Sequence, residues 1–176
     1  TMLRHYPQLG EPILPEEITF ITTQELLDLY PDDTPKEREN KIVKQHKAVC
    51  IMQIGDLLSN GTKHDGRAPD YDDWALNCDI LVYNKVLDQA LELSSMGIRV
   101  DADSLKAQLE KAHAMERLSL PFHQNIINGV LPLSIGGGIG QSRLCMFFLR
   151  KCHIGEVQAS LRDQDTLKTC EEKGVH

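Results

Sequence analysis

Asp79-Ile80-Leu81-Val82-Tyr83 and Leu91-Glu92-Leu93-Ser94-Ser95-Met96-Gly97-Ile98-Arg99-Val100 are two β-type runs separated only by Asn84 to Ala90. A connection that short turns a strand back on itself, whereas parallel neighbours need a longer crossover. The pair is therefore read as antiparallel. Working outward, Ala48 to Ile54 is a third apolar run ended by Gly55, and Ile18 to Thr22 is a fourth. Helix signals lie between and after them. Thr22-x-x-Glu25 reads as a capping box opening a helix that stops near Tyr30-Pro31. Thr34-Pro35-x-Glu37 opens a mostly polar helix to about Lys47, with Ile42 and Val43 facing inward. Asp103 is placed to cap a helix with Leu105, Leu109 and Ala112 on one side. Pro121 to Asn128 form another, ended by Gly129, and Gln141 to Cys152 a last apolar one. The tail after Ser160 is polar and is expected to be loose. Hairpin-joined strands with helices between others, and no strict βαβα alternation, predict an α+β fold with a largely antiparallel sheet.

Bulk properties narrow the function. A chain of 176 residues, 41% hydrophobic and 26% charged, holds one domain with a real core and reads as a single unit over 1–176. A net charge of −7 repels phosphate backbones, so nucleic acid is not expected as a partner. Apolar runs such as Leu144 to Leu149 fall far short of a membrane span, and residues 1–10 lack a signal-peptide pattern. Five cysteines without a C-x-x-C spacing read as free thiols in a reducing compartment.

Three segments carry chemistry. Ile135-Gly136-Gly137-Gly138-Ile139-Gly140-Gln141-Ser142-Arg143 leads a glycine-rich backbone into a helix, where N–H groups can meet an anion and Arg143 can hold a phosphate through two donors. It lacks the Gly-Lys-Ser/Thr of a P-loop and the last glycine of a dinucleotide fingerprint. Alone, it also fits a tight turn before a buried helix. Glu92 to Arg99 places a carboxylate, two hydroxyls and an arginine on an apolar strand. Alternation sets Glu92 and Ser94 against Ser95, Gly97 and Arg99, so a common site requires a bulge near Ser94 or Gly97. Lys63-His64-Asp65-Gly66-Arg67-Ala68-Pro69-Asp70-Tyr71-Asp72-Asp73-Trp74 brings both charge signs together in a turn-rich stretch, as a zwitterionic substrate requires and as a solvated loop also shows.

In order and spacing, Arg67 to Trp74, Leu76-Asn77-x-Asp79-Ile80-Leu81-Val82, Leu91 to Asp103, Gly136 to Leu144 and His153-Ile154-Gly155-x-Val157-Gln158 resemble the aspartate–ammonia ligase family. The resemblance covers nearly the whole chain. It implies the class II aminoacyl-tRNA synthetase fold and the conversion of L-aspartate, ammonia and ATP to L-asparagine, AMP and diphosphate through β-aspartyl-AMP. It also implies a cytoplasmic homodimer using Mg²⁺ with ATP. The implied catalytic residues are Asp72, Arg99 and Arg143. Glu92, Leu93, Ser94, Gly140 and Arg143 would bind ATP, Ser95, Arg99 and Asp72 would bind aspartate, and Asp79 and Glu92 would hold the metal. Asp72 is the residue suggested to take ammonium and its proton. Members of the family run to roughly twice this length. The chain is thus read as the C-terminal part of a single catalytic domain that does not hold a complete site alone. Members also carry a Ser-, Pro- and Gly-rich segment where only Ala75 stands between Trp74 and Leu76, so a segment missing between 74 and 75 is expected. The rival readings are a fragment of an aspartyl- or asparaginyl-tRNA synthetase, which the negative charge disfavours, and a non-catalytic binding paralogue, which the joint presence of Glu92, Arg99 and Arg143 disfavours.

Overall fold

The computed structural model describes residues 2–7, 10 and 13–175. Residues 1, 8 and 9, within the amino-terminal stretch read as lacking a signal pattern, lie outside the described residues. The strands are β1 (Thr19–Thr22), β2 (Ala48–Met52), β3 (Asp72–Asn84), β4 (Gln89–Arg99) and β5 (Ile135–Ile139). They form one sheet in chain order, parallel between β1 and β2 and antiparallel elsewhere. This is the α+β, largely antiparallel arrangement expected. Helices α1 (Met2–His5), α2 (Thr23–Leu29), α3 (Pro35–His46), α4 (Ala102–Lys111), α5 (Pro121–Ile127), α6 (Gln141–Phe148) and α7 (Gln164–Glu172) complete it.

Both expected capping boxes are present. The Thr22 and Thr34 side chains accept from the N–H groups of Glu25 and Glu37, and each glutamate returns a bond to its cap. Satisfying the free N–H groups of the first turn in this way fixes where α2 and α3 begin. Helix α4 is capped by Asp101 rather than Asp103: the Asp101 carboxylate accepts from the N–H groups of both Asp103 and Ser104. Helix α6 stops at Phe148, short of Cys152, because Arg150 turns to φ 55. The tail is not wholly loose, since Asp163 caps α7 through the Thr166 N–H at 2.8 Å, although α7 buries no side chain. A local cap suffices to start a helix that tertiary packing does little to hold.

The sheet's front face presents Ile21, Val49, Ile51 and Leu81 to Leu26 of α2 and to Ile42 and Val43 of α3. Its back face presents Ala48, Val82 and Leu93 to Phe147 of α6. Val100, Leu105, Leu109 and Ala114 form a third cluster past the end of β4.

Two register irregularities interrupt β3 and β4. Ile80 pairs with Ser94 and Leu81 with Glu92, which leaves Leu93 without a partner. This is the bulge the site required, and it returns Glu92 to the front face with Ser95, Gly97 and Arg99. The second lies between Asp72↔Arg99 and Asn77↔Gly97, five steps along β3 against two along β4. Trp74 and Ala75, between which a further segment is expected, lie within this irregular stretch of β3. What marks the spot is the slipped ladder, and there the Ala75 N–H bonds the Asp73 carboxylate at 2.8 Å.

Candidate active site

Helices α2 and α3 cover only part of the front face. Beyond them Asp79 and Asn77 of β3 face Ser95 and Gly97 of β4 as register partners, and the segment leading into β3 lies over this row. Three anchors hold that segment. The buried Gln108 amide of α4 donates to the carbonyls of Pro69 (2.9 Å) and Asp72 (3.0 Å) and accepts from the Trp74 N–H at 2.7 Å. Trp74 packs against Gly55, where a Cβ would sit 2.5 Å from the ring and where φ of +127° already demands glycine. Asp70 accepts from Arg117 at 2.8 Å and lies 3.5 Å from the buried His123 ring.

The result is a row of three arginine–carboxylate pairs. Arg67, nine-tenths buried, donates to the Asp79 carboxylate and to the Ser95 hydroxyl, both at 2.7 Å. Burial works against its charge, but Asp79 and then Tyr71 outweigh that and hold the guanidinium above its ordinary value. Arg99 pairs with Asp72, which is only 2% exposed, and its guanidinium lies 5.4 Å from the centre of the Tyr71 ring. Arg143, at the start of α6, reaches Glu92 at 3.3 Å, and both side chains stay more than two-fifths exposed. A cavity of about 310 Å³ opens beside Arg99, between Tyr71, Phe122, Leu131 and Ser134.

Asp72, Asp79, Ser95 and Arg99 thus gather on the front face, with Glu92 and Arg143 as a pair at its edge. Leu93 and Ser94 do not join them. Leu93 is packed in the back-face core, and Ser94 is buried with its hydroxyl donating to the Gly138 carbonyl at 2.9 Å. Gly140 caps α6 without a side chain, and its N–H bonds the Leu93 carbonyl at 2.8 Å. The glycine-rich run is not a tight turn: Ile135 to Ile139 form the edge strand β5. Asp79 and Glu92 each face an arginine, and among the described residues no group of three His, Cys, Asp or Glu is placed to hold a metal ion. Sequence reasoning passed over Arg67. Its one signal was an arginine inside a turn-rich acidic stretch, which does not say where the guanidinium goes.

The chain matches the family model described as aspartate-ammonia ligase over residues 1–174. It is 62% identical over 171 residues to an aspartate–ammonia ligase of Clostridium perfringens, covering 97% of this chain and 51% of that protein. It is 56% identical over 175 residues to one of Bacillus cereus, covering 99% and 53%. The chain therefore spans about half the length of the curated relatives it matches. Among solved structures, it is similar to Entamoeba histolytica asparaginyl-tRNA synthetase in complex with asparaginyl-adenylate, with a TM-score of 0.58, 14% identity and 89% and 38% of the two chains covered. It is similar also to the aspartyl-tRNA synthetase of the same organism, with a TM-score of 0.58, 18% identity and 93% and 35% covered. These two likenesses establish the fold, a class II aminoacyl-tRNA synthetase-like sheet, and the sequence match establishes the lineage: the chain belongs to the aspartate–ammonia ligase family.

Proposed function

We propose that this chain supplies the ATP-binding edge and part of the aspartate site of an ammonia-dependent asparagine synthetase, as the C-terminal part of its catalytic domain. The observation that carries the reading is the row Arg67–Asp79, Arg99–Asp72 and Arg143–Glu92 along one sheet face. A substrate with two carboxylates and an ammonium group, meeting a triphosphate, needs alternating cations and anions along its length.

In the proposed reaction the aspartate side-chain carboxylate attacks the α-phosphorus of ATP, forming an acyl–phosphate bond and expelling diphosphate. Ammonia then attacks the activated carbonyl, gives up a proton, and AMP leaves as the amide forms. Arg143 is exposed enough to meet phosphate oxygens and draws off the charge that builds on them. Arg67 and Ser95, fixed to each other, and Arg99 orient the amino acid so that its carboxylate lies in line. Asp72 is buried against Arg99, which makes it the partner that holds Arg99 in place. A paired carboxylate of that kind is a weaker candidate for taking the ammonium proton than an unpaired one. Glu92 fits a hard divalent cation such as Mg²⁺, because its carboxylate is open beside Arg143 and phosphate oxygens would supply the remaining ligands. Asp79, closed onto Arg67, does not fit that role. When bound, the metal would neutralise triphosphate charge. The family resemblance also supports a homodimer and a cytoplasmic location, and light scattering of the purified protein tests the first.

The test is ATP-dependent formation of asparagine from aspartate and ammonium, with AMP counted. It is run with the chain alone and with a polypeptide covering the remaining length of the C. perfringens relative. Asparagine and AMP in equal amounts in either arm support the reading. Their absence from both, with the chain folded by circular dichroism, overturns it.

A further inference from the structure

Gly136, Gly137 and Gly138 are consecutive in β5 and pair with Gly97, Met96 and Ser95 of β4. None of the three has a positive φ, so the backbone does not require glycine at any of them. A strand that cradled a ligand on the front face through its backbone would need Gly136 and Gly138 bare alike, since Gly137 faces the back. The surroundings separate them instead. A Cβ added at Gly138 would meet nothing within 4 Å. One at Gly137 would meet the Met96 Cβ at 2.7 Å and the Ser95 carbonyl at 3.2 Å, on the back face. One at Gly136 would run into the Arg99 guanidinium, 2.8 Å from Cζ and 3.0 Å from Nε. Its register partner Gly97 is closed by the other half of the same ion pair and by Asn77: a Cβ there would lie 2.9 Å from Asp72 Oδ1 and 3.0 Å from both Asp72 Cγ and Asn77 Cβ.

We propose that Gly97 and Gly136 are positioning residues, a flat floor of two facing glycines on which the Arg99–Asp72 pair lies. The consequence for aspartate rests on the function proposed above; the floor itself does not. Two rigid strands deny the guanidinium its depth, the Tyr71 ring lies over it, and Asp72 takes its inner edge. Arg99 is then ordered before a substrate carboxylate arrives, so binding does not have to freeze a long side chain. The absent Cβ at Gly136 serves a neighbouring side chain rather than the close approach of a phosphate.

The test compares Gly136→Ala, Gly138→Ala, Arg99→Lys and the double variant Gly136→Ala/Arg99→Lys in the full chain. One readout is the ¹⁵N–¹H resonance of the Arg99 side-chain Nε–Hε, assigned by its loss in Arg99→Lys. The other is L-aspartate binding by NMR titration. Gly136→Ala is expected to move or broaden the Arg99 resonance and to weaken aspartate binding about tenfold or more, the scale of a misplaced binding group. Gly138→Ala is expected to change neither. In the Arg99→Lys background the slimmer ammonium clears the added methyl, so Gly136→Ala is expected to cost no more than about threefold there, a non-additivity that marks direct contact. Equal losses in Gly136→Ala and Gly138→Ala, or an equal Gly136→Ala penalty in both backgrounds, would overturn the floor and leave glycine as a need of the strand alone. If the unaltered chain, together with a polypeptide covering the remaining length of the C. perfringens relative, does not bind aspartate, the proposed aspartate site falls, and the Arg99 resonance still decides the floor.

Discussion

Each of the three arginines sits in a different dielectric setting, and that sets what its removal does. Arg67 and Asp79 are both about nine-tenths buried. Replacing Arg67 by leucine leaves Asp79 charged and unpaired, and the chain is expected to lose about 3–5 kcal/mol in urea unfolding, the usual cost of breaking one side of a buried pair. The double variant Arg67→Leu/Asp79→Leu should recover a large part of that loss; an unfolding midpoint no higher than that of Arg67→Leu would show the pair is not the source. Arg143 differs in being open at the sheet edge. Arg143→Ala is expected to leave the unfolding midpoint within about 0.5 kcal/mol of the parent, as surface changes do. In the complete enzyme it should slow adenylate formation by about 2.7–4 kcal/mol, the scale of one electrostatic contact to a transition state. Arg143→Lys should restore only part, since an ammonium keeps the charge and loses the planar fork. Normal turnover by a folded Arg143→Ala protein would remove Arg143 from the phosphate site.

Among the elements, α4 matters to the site although it contributes no charge to it. Gln108, buried in α4, bridges the segment over the sheet by three backbone bonds, to Pro69, Asp72 and Trp74. Gln108→Leu would strand two carbonyls and an N–H in a buried place at roughly 1–3 kcal/mol for each unsatisfied group. The expected result is faster hydrogen exchange at residues 68–75 and loss of the Arg99–Asp72 geometry, with β1 and β2 protected as before. Uniform loss of protection throughout the chain would make Gln108 a general core residue instead. The caps work at the same scale: Thr34→Ala removes one side of the α3 box and should cost about 1 kcal/mol. Capping boxes are legible because sequence neighbours make them. The Leu93 bulge, needed for Glu92 to share a face with Ser95, was legible only as a condition on the site, because register depends on what the partner strand does.

For the molecule as a whole, pH and surface give two expectations. Backbone bonds from His153, the Lys151 ammonium and further bonds from Cys152 hold the Glu156 carboxyl down to about 2, from an ordinary 4.5. Bonds in the caps lower Glu25, Glu37, Asp101 and Asp163 as well. A carboxyl with a lowered folded value lends stability that is complete above its unfolded value and is lost as pH falls towards the folded one. The 150–157 segment should therefore loosen between about pH 4.5 and 2, and Glu156→Gln should flatten that limb in a fluorescence-labelled melt. The second expectation concerns the edge strand β5, which exposes Ile135 at 77% and Ile139 at 66% beside Leu133 at 81%. Edges of this kind associate. Ile135→Lys with Ile139→Lys should lower light scattering and hydrophobic-dye binding of the purified chain, and unchanged scattering would place the sticky surface elsewhere. Taken alone, the amino-acid sequence determined the elements whose signals are local, namely the two capping boxes, the β3–β4 hairpin and the apolar face of α6, and its motif order determined the family. It also marked Asp72, Arg99, Glu92 and Arg143. Only the tertiary structure decided that Arg67 closes on Asp79, that Leu93 and Ser94 turn to the back face, and that Gly136 lies bare beneath Arg99. Those outcomes depend on which strand lies beside which and in what register, and contacts between residues tens of positions apart leave no periodicity for the sequence to display.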